Sequence, residues 1–109
     1  MSARLCKHLP VLKLLHKATP KQRRLILQSA SDEFILALCE LALNILYGVI
    51  PVNRQQYQKL KKRKADIKFV ANKEIGIAAK KRVFNQKGGF LLPLLSVALP
   101  FLTNLIANR

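Results

Sequence analysis

Asn85-Gln86-Lys87-Gly88-Gly89-Phe90-Leu91-Leu92-Pro93-Leu94-Leu95 is where two physically different kinds of sequence meet. On its N-terminal side lies a dense field of lysine and arginine. On its C-terminal side, from Phe90 to Asn108, there is no ionisable side chain and nearly every residue is apolar. The paired glycines fall on the join, where the backbone is cheapest to bend and easiest to reach from outside. The reading of the whole chain turns on whether the apolar segment is an appendage or a wall of one core.

Coiled into a helix, the nineteen residues from Phe90 to Asn108 span roughly 28 Å at ~1.5 Å per residue. That approaches the ~30 Å hydrocarbon thickness of a bilayer. Pro93 and Pro100 kink such a helix, which membranes tolerate. Ser96, Thr103 and Asn104 gather toward one side, which suits an interfacial pose as well as a span. The expected membrane-interacting residues are Phe90, Leu91, Leu92, Leu94, Leu95, Leu99, Phe101 and Leu102. The competing expectation is a helix packed back on the body, since these leucines otherwise form a large exposed patch.

The chain has 109 residues, a formal charge of +15 and half its residues hydrophobic. That length suits one small domain plus appendages. Few Pro and Gly and many aliphatic residues argue against wholesale disorder. A pI near 10.6 points to a polyanionic partner, nucleic acid first and an anionic membrane second. Two cysteines, Cys6 and Cys39, make no disulfide framework and suit a reducing compartment. With His8 and His16 they supply four metal-ligating side chains, but the Cys-x-His spacing matches no usual zinc module. No metal or cofactor is expected. The first residues do not read as a secretory signal, because Arg4, Lys7, Lys13 and Lys17 interrupt the apolar run.

Periodicity predicts an all-α chain of about five helices plus the C-terminal hydrophobic helix or tail. Leu5, Leu9, Val11, Leu12 and Leu15 recur at helical spacing over Ala3 to Lys17, disturbed near Pro10. Thr19-Pro20-Lys21-Gln22 supplies an N-cap, a first-turn proline and a capping-box glutamine, opening a helix that turns Leu25, Ile26 and Leu27 to a core. Ser31-Asp32-Glu33 is a second start signal. The helix that follows, from Phe34 to Leu46, is apolar on most of its circumference and is expected at the centre, ending at Gly48. Asn53-Arg54-Gln55-Gln56 opens the most basic helix, to about Ala71, with Tyr57, Leu60, Ile67 and Val70 as its apolar stripe. A last short helix runs from about Ile77 to Gln86, with Val83 and Phe84 inward.

From Arg54 to Lys87 there are twelve Lys or Arg residues against Asp66 and Glu74, which is +10 of the total +15. Such an imbalance weakens a small fold by self-repulsion unless a polyanion relieves it. The expected nucleic-acid-binding residues are Arg54, Lys59, Lys61, Lys62, Arg63, Lys64, Lys68, Lys80, Lys81, Arg82 and Lys87. Tyr57, Phe69 and Phe84 are assigned to the core rather than to base stacking. Binding is therefore expected to follow the phosphate backbone, steeply salt-dependent and largely blind to sequence.

The string Lys87-Gly88-Gly89-Phe90-Leu91-Leu92-Pro93-Leu94-Leu95 resembles the C-terminal end of the adenovirus protein X precursor family, whose mature product is the DNA-associated core protein mu. There a basic stretch runs into Gly-Gly, a large apolar residue, then Leu-Pro-Leu-Leu; here one leucine is added before the proline. Ser31 to Val52 and Lys59 to Gly89 also resemble proteins of Polinton (Maverick) elements and adintoviruses. The resemblance implies a virion core protein of the host nucleus that condenses double-stranded DNA. It also implies a cut by the adenovirus-type cysteine protease between Gly89 and Phe90, with Gln86, Lys87, Gly88, Gly89 and Phe90 as the site. Gln86 stands where that protease favours an apolar residue. Mu is short and arginine-rich, whereas this chain has capped helices and a leucine-rich body.

The chain thus divides into a basic helical domain (1–86), a Gly-Gly seam (87–89) and a hydrophobic tail (90–109). The leading expectation is a DNA-packaging protein, its tail free to meet membrane or capsid. A membrane-active or tail-anchored protein is the second reading. A basic RNA- or DNA-binding module without processing, its last helix simply core, is the third. Catalysis is not expected: carboxylates are few, and no phosphate-cradling loop, nucleophile elbow or metalloprotease motif occurs.

Overall fold

Capping side chains decide where the helices begin. In a computed structural model, which describes residues 2–86 and 88–107, the Ser2 hydroxyl opens α1 (Ala3–Lys17) by accepting from the Leu5 amide. Thr19 opens α2 (Pro20–Gln28): its hydroxyl accepts from the Gln22 amide while the Gln22 side-chain oxygen accepts from the Thr19 amide. Asn53 and Gln56 repeat this box at the start of α4 (Arg54–Lys61). Each box satisfies two amides that a first turn otherwise leaves unpaired. Ser31 caps α3 (Asp32–Leu46) through the Phe34 amide, with Asp32 and Glu33 against the positive end of the helix dipole.

α3 stops at a glycine for a backbone reason. Gly48 has a φ of +74°; its amide donates to the Ile45 carbonyl and the Val49 amide donates to the Asn44 carbonyl. This paired pattern closes a helix through a left-handed residue. A Cβ at position 48 has open space around it, so the cost of replacing Gly48 is conformational rather than steric. The turn then delivers Ile50 to the interior, where it is fully buried.

The remaining elements are α5 (Lys64–Ala71), α6 (Ile77–Gln86), a 3-10 turn (Gly88–Phe90) and α7 (Leu91–Ala107). The architecture is all-α among the described residues, with seven α-helices. α3 is the hub: Phe34, Ile35, Ala37, Leu38, Cys39, Leu41, Ala42 and Ile45 are buried along it. α1, α5, α6 and α7 all pack against it, while α2 leans on α1 and α6. In α2 only Leu27 is buried and Leu25 is exposed, because three consecutive residues point roughly 100° apart around a helix and cannot share one face.

The basic helix expected from Arg54 to Ala71 is two helices. Lys62 and Arg63 interrupt it: Lys62 closes α4 and Arg63 takes φ −115°, ψ 19° before α5 starts. Four consecutive cations, Lys61 to Lys64, sit at the break. The tertiary cause is that α4 packs on α7 whereas α5 packs on α3. One straight rod cannot serve both walls, so the chain bends where its apolar stripe is thinnest.

The expected separate tail is likewise corrected. Phe90, Leu91, Leu94, Leu95, Val97, Ala98, Leu99 and Leu102 are buried, and α7 packs against α1, α3 and α4. The Phe84 and Phe90 rings stack with centroids 5.4 Å apart, and His16 on α1 meets the Ser96 hydroxyl on α7 at 3.2 Å. The radius of gyration, 12.9 Å, matches the ~13 Å of a compact chain of about 100 residues, so among the described residues no arm projects. Each large aliphatic side chain gains about 1.5–3 kcal/mol by leaving water, and the leucine faces of α1 and α3 offer the place to do so. No single described helix is long and apolar enough to cross a membrane; α6 and α7 satisfy that test only together, bent by 106°.

If α7 is a core wall, Leu94→Ala lowers the urea-unfolding free energy by about 2–5 kcal/mol. Leu92→Ala, at a position 37% exposed, costs less than about 1 kcal/mol. Equal, small effects at both positions would remove α7 from the core.

Candidate nucleic-acid interface

α4 is held to the body by little more than Leu60, the one residue it buries. Its other side chains remain outside, and so do those at the break that follows. Arg54, Lys59, Lys61, Lys62, Arg63, Lys64 and Lys68 are all exposed, so α4, the break and α5 together present a cationic surface, called the α4–α5 ridge below. A helix this polar is stable only because its cap is complete and its single apolar stripe is docked.

Asp66, in the first turn of α5, is the one acid within this stretch, and Glu74 follows Lys73 in the turn after it; the other three acids lie elsewhere. Asp32, Glu33 and Glu40 all belong to α3. Arg4 Nε bonds the Glu33 carboxylate at 3.0 Å and Arg4 Nη1 lies 3.9 Å from Glu40, which also accepts from the Ser2 hydroxyl at 2.8 Å. Lys81 pairs with Asp32. These ion pairs tie α1 and α6 to α3. The Arg4 hydrogen bond holds the Glu33 carboxyl below its ordinary range. Stability from this contact is therefore present above the unfolded carboxyl pKa and lost as pH falls through the lowered folded value.

The four expected site residues beyond α5 divide. Arg82 is exposed, on the outside of α6. Lys81 is half-buried and committed to Asp32. Lys80 is not on the interface: it retains only 5% of its exposure, on the inner side of α6. The 100° step between neighbours turns Lys80, Lys81 and Arg82 to three different sides, and tertiary packing decides which is covered. Lys87 lies outside the described residues.

Two helix junctions meet beside the ridge. Arg63 Nη2 lies 3.4 Å from where a Cβ on Gly89 would stand, so the α4–α5 break carries a guanidinium over the glycine turn. Of the expected cleavage residues, Gln86 and Gly89 are exposed, Gly88 belongs to the 3-10 turn, and Lys87 lies outside the described residues. Phe90 is fully buried against Phe84. The bond after Gly89 therefore joins an accessible residue to one anchored in the core. Of the expected membrane-facing set, Phe90, Leu91, Leu94, Leu95, Leu99 and Leu102 are buried and Phe101 is half-buried. Leu92 is 37% exposed.

Two surface groups join the ridge that residue spacing alone did not assign to it. Tyr57, expected in the apolar stripe, is 51% exposed and stands one turn from both Arg54 and Lys61 on α4. Lys73, in the turn after α5, is also exposed. The signal for Tyr57 was present in its neighbours: Arg54 and Lys61 at i−3 and i+4 mark a solvent face. Phe69 is half-buried and Phe84 fully buried, so neither offers a ring to a base.

The histidines and cysteines have other surroundings. His8 meets the Phe34 ring edge-on at 5.7 Å, and His16 is engaged by Ser96. Burial pushes the Cys39 thiol up, leaving it protonated near neutrality and a weak nucleophile. No three His, Cys, Asp or Glu side chains gather as a metal set among the described residues. Chemically, so many exposed cations suit an anionic, phosphate-bearing surface. Compared with known proteins, the chain matches no family model, no curated protein and no solved structure.

Proposed function

We propose that this chain is a non-catalytic protein that binds and condenses double-stranded DNA through its phosphates, as a virion core protein of a Polinton- or adintovirus-like element in the host nucleus. The observation that carries this reading is the excess of exposed charge from Arg54 to Lys68, seven cations against Asp66 alone. The carboxylates of α3 are spent within the body, and the α4–α5 ridge presents its cations to solvent without them. Repulsion along Lys61 to Lys64 is relieved when a phosphate backbone lies across it. Arg54, Lys59, Lys61, Lys62, Arg63, Lys64, Lys68 and Arg82 make this contact, with Lys73 at its edge. Lys7, Lys13, Lys17, Lys21 and Arg24 are exposed on α1 and α2, so a second duplex segment finds charge on other sides too, which condensation requires.

A second reading, a basic RNA- or DNA-binding module with no processing, is favoured by one observation: α7 is packed as a core helix. On either reading the protein needs no metal or cofactor. Cutting after Gly89 by an adenovirus-type cysteine protease, if it is part of the first reading, requires Phe90 to leave the core before the backbone can extend into a protease cleft. Meeting a membrane or capsid through α7 carries the same requirement.

Affinity for duplex DNA should fall steeply with salt. Replacing Lys61, Lys62 and Lys64 together by Gln should reduce the slope of log K against log[salt] by about 2–3. Circular dichroism should show the helices retained. An unchanged slope would remove the ridge from the interface, and marked preference for structured RNA would replace packaging by the second reading.

Processing is checked separately. Incubated with an adenovirus-type protease, the folded chain should be cut slowly after Gly89, and Phe84→Ala, which removes the ring stacked on Phe90, should accelerate the cut about tenfold or more by destabilising the docked state. An intact chain under conditions that unfold α7, read by mass spectrometry, would eliminate the processing step.

A further inference from the structure

Tyr57 is the exposed ring of the α4–α5 ridge, with 51% of its surface open. Arg54, Tyr57 and Lys61 stand at i, i+3 and i+7 on α4, which at ~100° per residue puts all three within about 60° of one another around the helix. Arg54 and Lys61, both exposed, therefore flank the ring, roughly 10 Å apart along the axis at ~1.5 Å per residue. Among the described residues no other ring stacks on it. The capping box at Asn53 and the burial of Leu60 fix which side of α4 faces out.

The phenylalanines are placed differently: Phe34, Phe84 and Phe90 are buried, and Phe69 and Phe101 are half-buried. A ring left half outside among cations forgoes part of the gain from burial. Phosphate contact does not need it, since lysine and arginine make that contact alone. Within an intact duplex the faces of the bases are covered by their neighbours, so the ring finds no partner there. An unpaired base offers an open face, and stacking on a protein ring suits any base.

We propose that the Arg54–Tyr57–Lys61 face of α4 binds an unpaired stretch of a nucleic-acid strand, with one base stacked on the Tyr57 ring and the phosphates on either side held by Arg54 and Lys61. Such binding rests on the phosphate contact proposed for the ridge and adds to it a preference for gaps, ends or single strands. DNA and RNA strands share this chemistry.

The test uses the full chain with labelled oligothymidylate, oligouridylate and a duplex of matching length, and reads Kd by fluorescence anisotropy over a salt series. Tyr57→Leu should weaken binding of both single strands about tenfold. It should leave the duplex within about twofold, and every salt slope unchanged, because no charge is removed. Tyr57→Phe, which keeps the ring, should bind as the wild type does, and circular dichroism should show Tyr57→Leu equally helical. Whichever single strand the wild type binds tighter tells a DNA source from an RNA one. With Lys61→Gln, Lys62→Gln and Lys64→Gln combined, an unaltered slope for every probe would remove the ridge from the interface, and this site with it. A lowered slope there, with single-strand affinity unmoved by Tyr57→Leu, would overturn the stacking site alone. So would equal losses on strand and duplex, an equal loss in Tyr57→Phe, or an equal loss of binding to anionic lipid vesicles, which would mark a membrane-facing ring.

Discussion

Everything in this molecule depends on apolar burial overcoming a chain that repels itself. Twenty cations face five acids, so electrostatics opposes compaction at every step. The opposing term comes largely from two helices. α3 buries side chains on most of its circumference, and α7 adds a wall with no ionisable side chain between Leu91 and Ala107. Neither helix is cationic, and together they form the neutral interior around which the basic elements are laid. An uncharged helix is the natural filler for the centre of a basic body, because it adds apolar area without adding repulsion.

The scarce acids are placed where they do most for the fold. Three of the five acids lie on α3 (Asp32, Glu33 and Glu40). From there they reach Arg4 on α1 and Lys81 on α6. Exposed pairs of this kind are individually worth little, about 0–1 kcal/mol. Their value here is local relief of repulsion at the packed faces. The cations these three acids engage, Arg4 and Lys81, sit beside α3, while those of the α4–α5 ridge remain exposed.

Junctions carry the rest of the architecture. The break at Lys62 and Arg63 lets one basic stretch serve two walls, α4 on α7 and α5 on α3. The turn at Gly88 to Phe90 swings the chain from α6 into α7. The two junctions lie close together, the Arg63 guanidinium standing where a side chain on residue 89 would meet it. α4, which Leu60 alone anchors by burial, also packs on α7, so loss of α7 would remove the wall on which α4 rests.

Local chemistry was legible without a structure. The caps at Thr19, Ser31 and Asn53, the stop at Gly48, the all-α class and the concentration of charge after Arg54 all follow from short-range rules, since they depend on residues within a turn or two of one another. What the sequence could not decide is which surfaces face one another. Phe90 to Asn108 reads first as a membrane-directed tail and second as a core helix, because both environments reward the same side chains. Only the leucine faces of α1 and α3, brought together by folding, make Phe90 to Leu102 a core wall. Lys80, Lys81 and Arg82 are neighbours of like charge, yet one is buried, one paired and one exposed. That difference belongs to the angle at which α6 meets α3, a quantity no local pattern encodes.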